Sequence, residues 1–453
     1  MSKGRPGWLF SAILLVSAAL AQTPAESARK AARAGNWDQS VEYFQKAIAA
    51  APKDAGLRSE LASTLFSAGR IGSAIDVYRA VLADAPSHLD SQLGLAVCLR
   101  RIHNYNEVRA LYQRAIRQHP DSAAPVLALG EMEIEVQNYD AAIRTLKRAL
   151  RLDPQSVRAG AELGAAYKAK GQLAAALAEE TWVIRQDPKY AMAYFVRGSV
   201  YADQGNHGKA YADAEKLLLL SPDSAPGKTL LAKEAIHVEK CARAVEVLKP
   251  GSENSTDSQT LFLLGRAYQC SGQADEASRM MARYTAALEK ERSKAEDDAQ
   301  SANLVKQAQQ EAQANRLNSA LELIQKALEA SRDNADAYAL RAKLYYSAKR
   351  LPEAEEAIGR ALAINPIQPE YLYVLGKLQA RQGKQEEALE TFRQVTVINP
   401  KESDAFYEMG LIFKQRKDEK RAVAALKKAL ELSPQDPDYR AALAEITLQN
   451  DPH

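Results

Sequence analysis

The sequence predicts an all-α chain, a right-handed α-solenoid of helix-turn-helix repeats with a C-terminal capping helix. Three observations carry that expectation. Prolines recur every 34 residues at Pro52, Pro86, Pro120, Pro154, Pro188 and Pro222, and return in phase at Pro366, Pro400 and Pro434. Small residues recur at the same interval: Ala28, Ala62, Ala96, Gly130, Gly164 and Gly198, then Ala232, Gly265, Ala308, Ala342, Gly376 and Gly410 after changes of spacing. Twelve positions further on sits a second small residue, from Ser40 and Ala74 to Ala388 and Ala422, with only Val108 larger. Two small residues twelve apart suit antiparallel helices that cross too closely for large side chains. Gly69, Gly171, Gly205, Gly272 and Gly383 mark the turns between the helices. Each Pro closes the second helix, because it has no N–H with which to continue the ladder.

Taken in order, residues 1–21 read as a cleavable signal peptide. Lys3 and Arg5 give a basic start, Trp8 to Leu20 is apolar apart from two serines, and Ala19-Leu20-Ala21 supplies the small residues a signal peptidase reads. A run of thirteen residues falls short of the roughly 20 that span a bilayer, and no cysteine follows for lipid attachment. Cleavage before Gln22 is therefore expected, with no integral membrane span in the mature chain; a retained anchor is the alternative. Residues 22–250 hold repeats one to seven. The seventh stops early at Pro250, and 251–257 reads as a polar loop and candidate hinge. Residues 258–453 hold repeats eight to twelve and the capping helix, from Pro437 to about Gln449. The step from Gly265 to Ala308 is 43 residues, and the nine extra, within Glu289–Gln300, are read as lengthening the second helix of repeat eight. Such a charged run is a solvated helix face or a docking site.

Composition agrees with a globular array: of 453 residues, 46% are hydrophobic and 26% charged. The net charge of +3 falls to +1 once Lys3 and Arg5 are removed. A nucleic-acid binder usually shows a strong basic excess, so nucleic acid is not an expected partner. Three cysteines are too few for a disulfide scaffold or a four-Cys zinc site. His88, His103, His119, His207, His237 and His453 form no zinc motif, and no nucleophile elbow or phosphate loop occurs. The repeats occupy nearly the whole mature chain, leaving no room for a catalytic domain. No enzymatic activity, cofactor or metal is expected. Cys98 reads as a buried apolar residue. Cys241 and Cys270 fall at the turn ends of adjacent repeats and form a candidate disulfide in an oxidising compartment.

The pattern resembles the tetratricopeptide repeat family. Leu163-Gly164, Tyr167, Gly171, Ala176 and Pro188 carry the resemblance in repeat five, and Phe406, Met409-Gly410, Phe413, Ala422, Ala429 and Pro434 carry it in repeat twelve. It covers about Gln22 to Asp436. The resemblance implies a concave wall lined by the first helix of each pair, with positions two, five, nine, twelve and thirteen facing inward. Those positions are mixed in repeats four to six, with Glu131, Glu135, Lys168, Phe195, Ser199 and Asp203. In repeats ten to twelve they supply Lys343, Tyr346, Tyr373, Lys377, Arg381, Tyr407 and Lys414. Tyr373, Lys377 and Arg381 are spaced i, i+4, i+8 and share one face. Tyrosines give rigid contact area and cations select carboxylates, so this face suits an acidic, extended peptide. The alternative is tyrosines that merely pack between first helices. The eleventh position, usually aromatic or apolar, is Glu133, Glu311 and Gln379 in three repeats. These read either as a hydrated wall or as polar contacts to a ligand.

The expected function is that of an exported, non-catalytic scaffold that binds an extended segment of another protein, in a bacterial periplasm or outside the cell. The alternative is a non-catalytic subunit or specificity factor of an envelope enzyme complex, one exporting polysaccharide or maturing exported proteins. The sequence does not specify the oligomeric state.

Overall fold

The computed structural model describes residues 23–252 and 255–448. The expected signal peptide, 1–21, lies outside them. They form 24 α-helices and one short 3-10 turn, Lys249–Gly251, with no strand among the described residues. The chain divides into two compact units, one ending at Gly94 and the other beginning at Leu95.

In the first unit, repeats one and two pair Pro24–Arg33 with Trp37–Ala50 and Ala55–Ser67 with Ile71–Asp84. Thr23 and Glu26 form a reciprocal capping box at the first helix. Ser40 Oγ donates to Ala28 O at 2.8 Å where those two helices cross, so the one polar residue of the second small series is satisfied.

The division falls within Leu89–Arg101, the first helix of repeat three, which pairs with Tyr105–Gln118; the second unit repeats the pair as far as Ser403–Gln415 and Glu419–Leu432, and ends with the capping helix Pro437–Leu448. The small positions of both series are buried throughout the chain, nearly all with no exposed surface. In five repeats the side chain sixteen residues after the first-series glycine fills the crossing. Leu146 lies against Gly130, Met281 against Gly265, Phe392 against Gly376 and Leu426 against Gly410. In repeat five that place is taken by Glu180 against Gly164.

Each turn inside a repeat contains one residue in the left-handed region. Six are Gly35, Gly69, Gly171, Gly205, Gly272 and Gly383, and six are His103, Gln137, Glu239, Asn315, Lys349 and Lys417, with φ between 58° and 61°. A side chain costs roughly 1–2 kcal/mol in that conformation, while glycine gains entropy in the unfolded chain. Replacing Gln137, Lys349 or Lys417 by glycine is expected to stabilise by about 0.5–1 kcal/mol each, read as a higher denaturation midpoint. A lower midpoint in all three would show that these side chains contribute more than their backbone strain costs.

The lengthened region departs from expectation. Ala274–Gln313 is one unbroken helix of 40 residues, so the second helix of repeat eight runs straight into the first helix of repeat nine. The cause is local: no Pro or Gly interrupts the segment, and Ala, Glu, Lys, Arg and Gln all favour helix. From Leu288 to Gln300 every side chain is exposed except the half-buried Asp297. One hydrophobic cluster runs from Ala214 to Ala287 and the next begins at Val305.

Repeat seven is short, its second helix ending at Leu248. The loop that follows is tied down. Arg283 Nη2 donates to Ser252 O at 2.9 Å and to Ser255 O at 3.0 Å, and Ser252 is buried. Cys241 and Cys270 are bonded to each other, their Cα atoms 5.8 Å apart. Breaking that link is expected to accelerate limited proteolysis between Lys249 and Ser258 several-fold, because the loop then lies between two helices no longer joined covalently. Equal cleavage rates in the oxidised chain and in C241S/C270S would show that the link does not restrain the loop. Cys98 is 1% exposed, and burial pushes its thiol up to about 12, so it packs as an apolar residue.

Candidate functional site

The first helices of repeats ten to twelve are Ala335–Ser347, Pro369–Arg381 and Ser403–Gln415. Pro369 and Asn334 help fix two of their starts: Pro369 occupies N1, and Asn334 accepts from Ala337 N. Apolar positions such as Leu344, Val374, Leu378, Ala405 and Ile412 are buried. Those positions therefore turn away from solvent and leave the expected face outward.

Four of the seven expected residues come together. Lys377 Nζ lies 5.5 Å from the ring centres of both Tyr346 and Tyr373, and the Arg381 guanidinium lies 5.0 Å from that of Tyr346. Two cations and two rings thus interleave across repeats ten and eleven, each ring offering its negative face to a positive charge. Burial pushes the Tyr373 hydroxyl well above the ordinary tyrosine range, reinforced by Glu408 and Asp404, so it stays protonated and able to donate. Lys343 is exposed and lines a cavity of about 200 Å³ with Asp336, Leu340 and Tyr371.

Tyr407 and Lys414 meet the capping helix instead. Tyr407 stacks on Tyr439 with ring centres 4.8 Å apart, and Lys414 Nζ lies 2.6 Å from Glu445 Oε2. Lys377 also has a carboxylate partner, Glu408, at 3.7 Å. Glu408, Tyr439 and Glu445 were not in the expected set. Their contacts depend on how successive helices stack, which no spacing within one helix reveals.

In the mixed wall, the two carboxylates of repeat four are paired within the protein. Arg158 Nε lies 2.7 Å from Glu131 Oε1, and Arg100 reaches Glu135 Oε2 with Nε at 3.0 Å. The polar eleventh positions are bound within the protein. Gln379 Oε1 accepts from Thr391 at 2.7 Å, Glu133 hydrogen-bonds with Thr145, and Arg316 Nη2 donates to Glu311 Oε1 at 2.7 Å. In two repeats, then, a polar residue at position eleven is matched by a Thr twelve residues later on the second helix. That pairing is visible in the sequence and could have resolved the question.

No group of three or more His, Cys, Asp or Glu side chains among the described residues could hold a metal ion. Among the same residues no helix is long and apolar enough to cross a membrane.

A 34-residue helical pair stacked in series, presenting rings and cations on its first helices, defines a repeat scaffold of the kind that supports protein–protein interaction. The chain belongs to the tetratricopeptide repeat family. Tetratricopeptide repeat models match residues 26–88, 161–227 and 373–437, and also 65–130 and 311–378. A further TPR repeat model matches 130–171. No curated protein matches the chain. Among solved structures, YrrB, described as a TPR protein with an unusual peptide-binding site, is 24% identical over 44% of this chain and 99% of its own, with a TM-score of 0.36. A tetratricopeptide repeat protein from Parabacteroides merdae is 19% identical over 54% of this chain and 97% of its own, with a TM-score of 0.42. A chain of the APC/C hetero-tetramer Cut9-Hcn1 is 14% identical over 94% of this chain and 90% of its own, with a TM-score of 0.37.

Proposed function

We propose that the protein is an exported, non-catalytic adaptor that holds an acidic, extended segment of another envelope protein on the first helices of repeats ten to twelve. The observation that carries this reading is the interleaving of Lys377 and Arg381 with Tyr346 and Tyr373. Rings held by cations on their faces are rigid, so little side-chain entropy is lost when a peptide lies across them. Arg381 and Lys343 are exposed and available to carboxylates, while Lys377 would exchange Glu408 for a ligand carboxylate. Export is supported by the basic start, the short apolar run and Ala19-Leu20-Ala21. A Cys241–Cys270 bond suits the oxidising compartment that export would reach.

The test is a random peptide library selected against residues 22–453. Enriched peptides are expected to be acidic and to bind more weakly as salt is added. K377E/R381E is expected to weaken them by about 1–3 kcal/mol, as for charged contacts at other interfaces. Enrichment of peptides that bind the double variant with unchanged affinity at low salt would reject this face.

A further inference from the structure

A second site, separate from that face, lies between the first helices of repeats seven and eight, Ala225–His237 and Ser258–Cys270. Ile236, Phe262 and Leu263 give apolar walls to a cavity of about 320 Å³, and Lys233, His237 and Arg266 also line it. No carboxylate is among its lining residues. Three groove cations elsewhere in this unit have acidic partners: Arg158 with Glu131, Lys377 with Glu408 and Lys414 with Glu445. Among the described residues Lys233 and Arg266 have none. The guanidinium of Arg266 instead lies 5.9 Å from the ring centre of Phe262, so charge and apolar surface adjoin.

Two further features fix this cavity. The His237 ring stacks on His207 with centres 4.0 Å apart and planes 12° from parallel, and His207 Nδ1 is held 2.7 Å from Oε2 of the fully buried Glu234. The Cys241–Cys270 bond joins the residue four beyond His237 to the residue four beyond Arg266. Both walls are therefore pinned on the same side of the cavity.

We propose that this cavity binds a partner peptide through one large apolar side chain followed directly by an acidic residue. A volume near 320 Å³ admits one such side chain, and two unpaired cations beside an apolar wall call for an anion attached to an apolar group. The bond between Cys241 and Cys270 keeps the walls at binding distance, so the site is fully formed only in the oxidised chain.

Fluorescence titration of the oxidised chain tests this with two probes of nearly the same shape. 8-Anilinonaphthalene-1-sulfonate is an apolar anion, and N-phenyl-1-naphthylamine is its neutral counterpart. The anion is expected to bind with one-to-one stoichiometry. K233A/R266A should weaken it at least tenfold while changing the neutral probe less than twofold, and F262A should weaken both. Reduction, or C241S/C270S, should weaken the anion several-fold. An N-acetylated, C-terminally amidated peptide containing Phe-Asp should displace the anion, and the Phe-Asn peptide should not. Unchanged anion binding in K233A/R266A, with wild-type helicity and melting, would overturn the site. Displacement by free N-acetylphenylalanine but not by the Phe-Asp peptide would overturn the assignment to a protein segment. These readings do not involve repeats ten to twelve, so they stand or fall separately from the function proposed above.

Discussion

Replacing Gly376 by leucine is expected to cost about 3 kcal/mol of stability, near the upper end of the usual range for overpacking a core. A Cβ at this position would lie 2.7 Å from Cε1 of Phe392 and 2.9 Å from Cδ1 and Cζ. Phe392 has no exposed surface and belongs to the cluster that contains Leu389, Val395 and Leu426. A free side-chain end could swing away, but a ring enclosed on all sides cannot, so the helices of repeat eleven must part. Because each repeat contacts chiefly its neighbours, the loss should begin in repeats ten to twelve and leave the earlier ones folded. Urea denaturation followed by hydrogen exchange would read both. A wild-type midpoint in Gly376→Leu would contradict the assigned crossing.

The second large effect is a pH dependence centred on repeat five. At the crossings of repeats four, eleven and twelve the filling residue is Leu146, Phe392 and Leu426, whereas repeat five has Glu180. Glu180 is fully buried, and neither carboxyl oxygen has a hydrogen-bond partner among the described residues. Burial raises its pKa to about 9, reinforced by the nearby carboxylates of Glu179 and Glu162 and opposed by Arg197. The folded chain thus keeps a proton that the unfolded chain releases near the ordinary value of 4.5. The contribution to stability is full below about pH 4.5, declines as pH rises, and is exhausted near pH 9. At about 1.36 kcal/mol per unit of pH, the loss by pH 8 is roughly 5 kcal/mol. Glu180→Gln removes the titrating proton. Its melting temperature should match the wild type near pH 5 and exceed it by a margin that widens up to pH 8. Parallel pH profiles for the two chains would show that Glu180 is ionised in the folded protein.

The backbone was the most legible part of the sequence. The proline period, the two small series and the turn glycines are requirements of one helical pair, and each recurs often enough to be read without tertiary information. Even the six turns without glycine hold a residue in the left-handed region, because the helix crossing sets the turn and not its residue. The 40-residue helix was only half visible. The sequence shows nine extra residues, but the missing turn between repeats eight and nine follows from the absence of any breaker. Glu180 had a signal that went unread, since the residue sixteen after Gly130, Gly265, Gly376 and Gly410 is large and apolar. Four of the seven residues expected on the candidate face come together, and its charge was not legible. Lys377 and Lys414 lie on the expected helices, yet Glu408 comes from the first helix of the next repeat and Glu445 from the capping helix, and both depend on stacking geometry.

The most direct test of the binding face is zero-length carbodiimide cross-linking of a library-selected acidic peptide to the oxidised chain, read by mass spectrometry. The reagent joins a carboxylate to a lysine only where the two are in contact. Cross-links are expected at Lys343, Lys377 and Lys414, and those at Lys377 should be lost at high salt before any loss of helicity. Cross-links confined to Lys168 on the first helix of repeat five would contradict the account and move the peptide to the wall formed around Glu131 and Phe195.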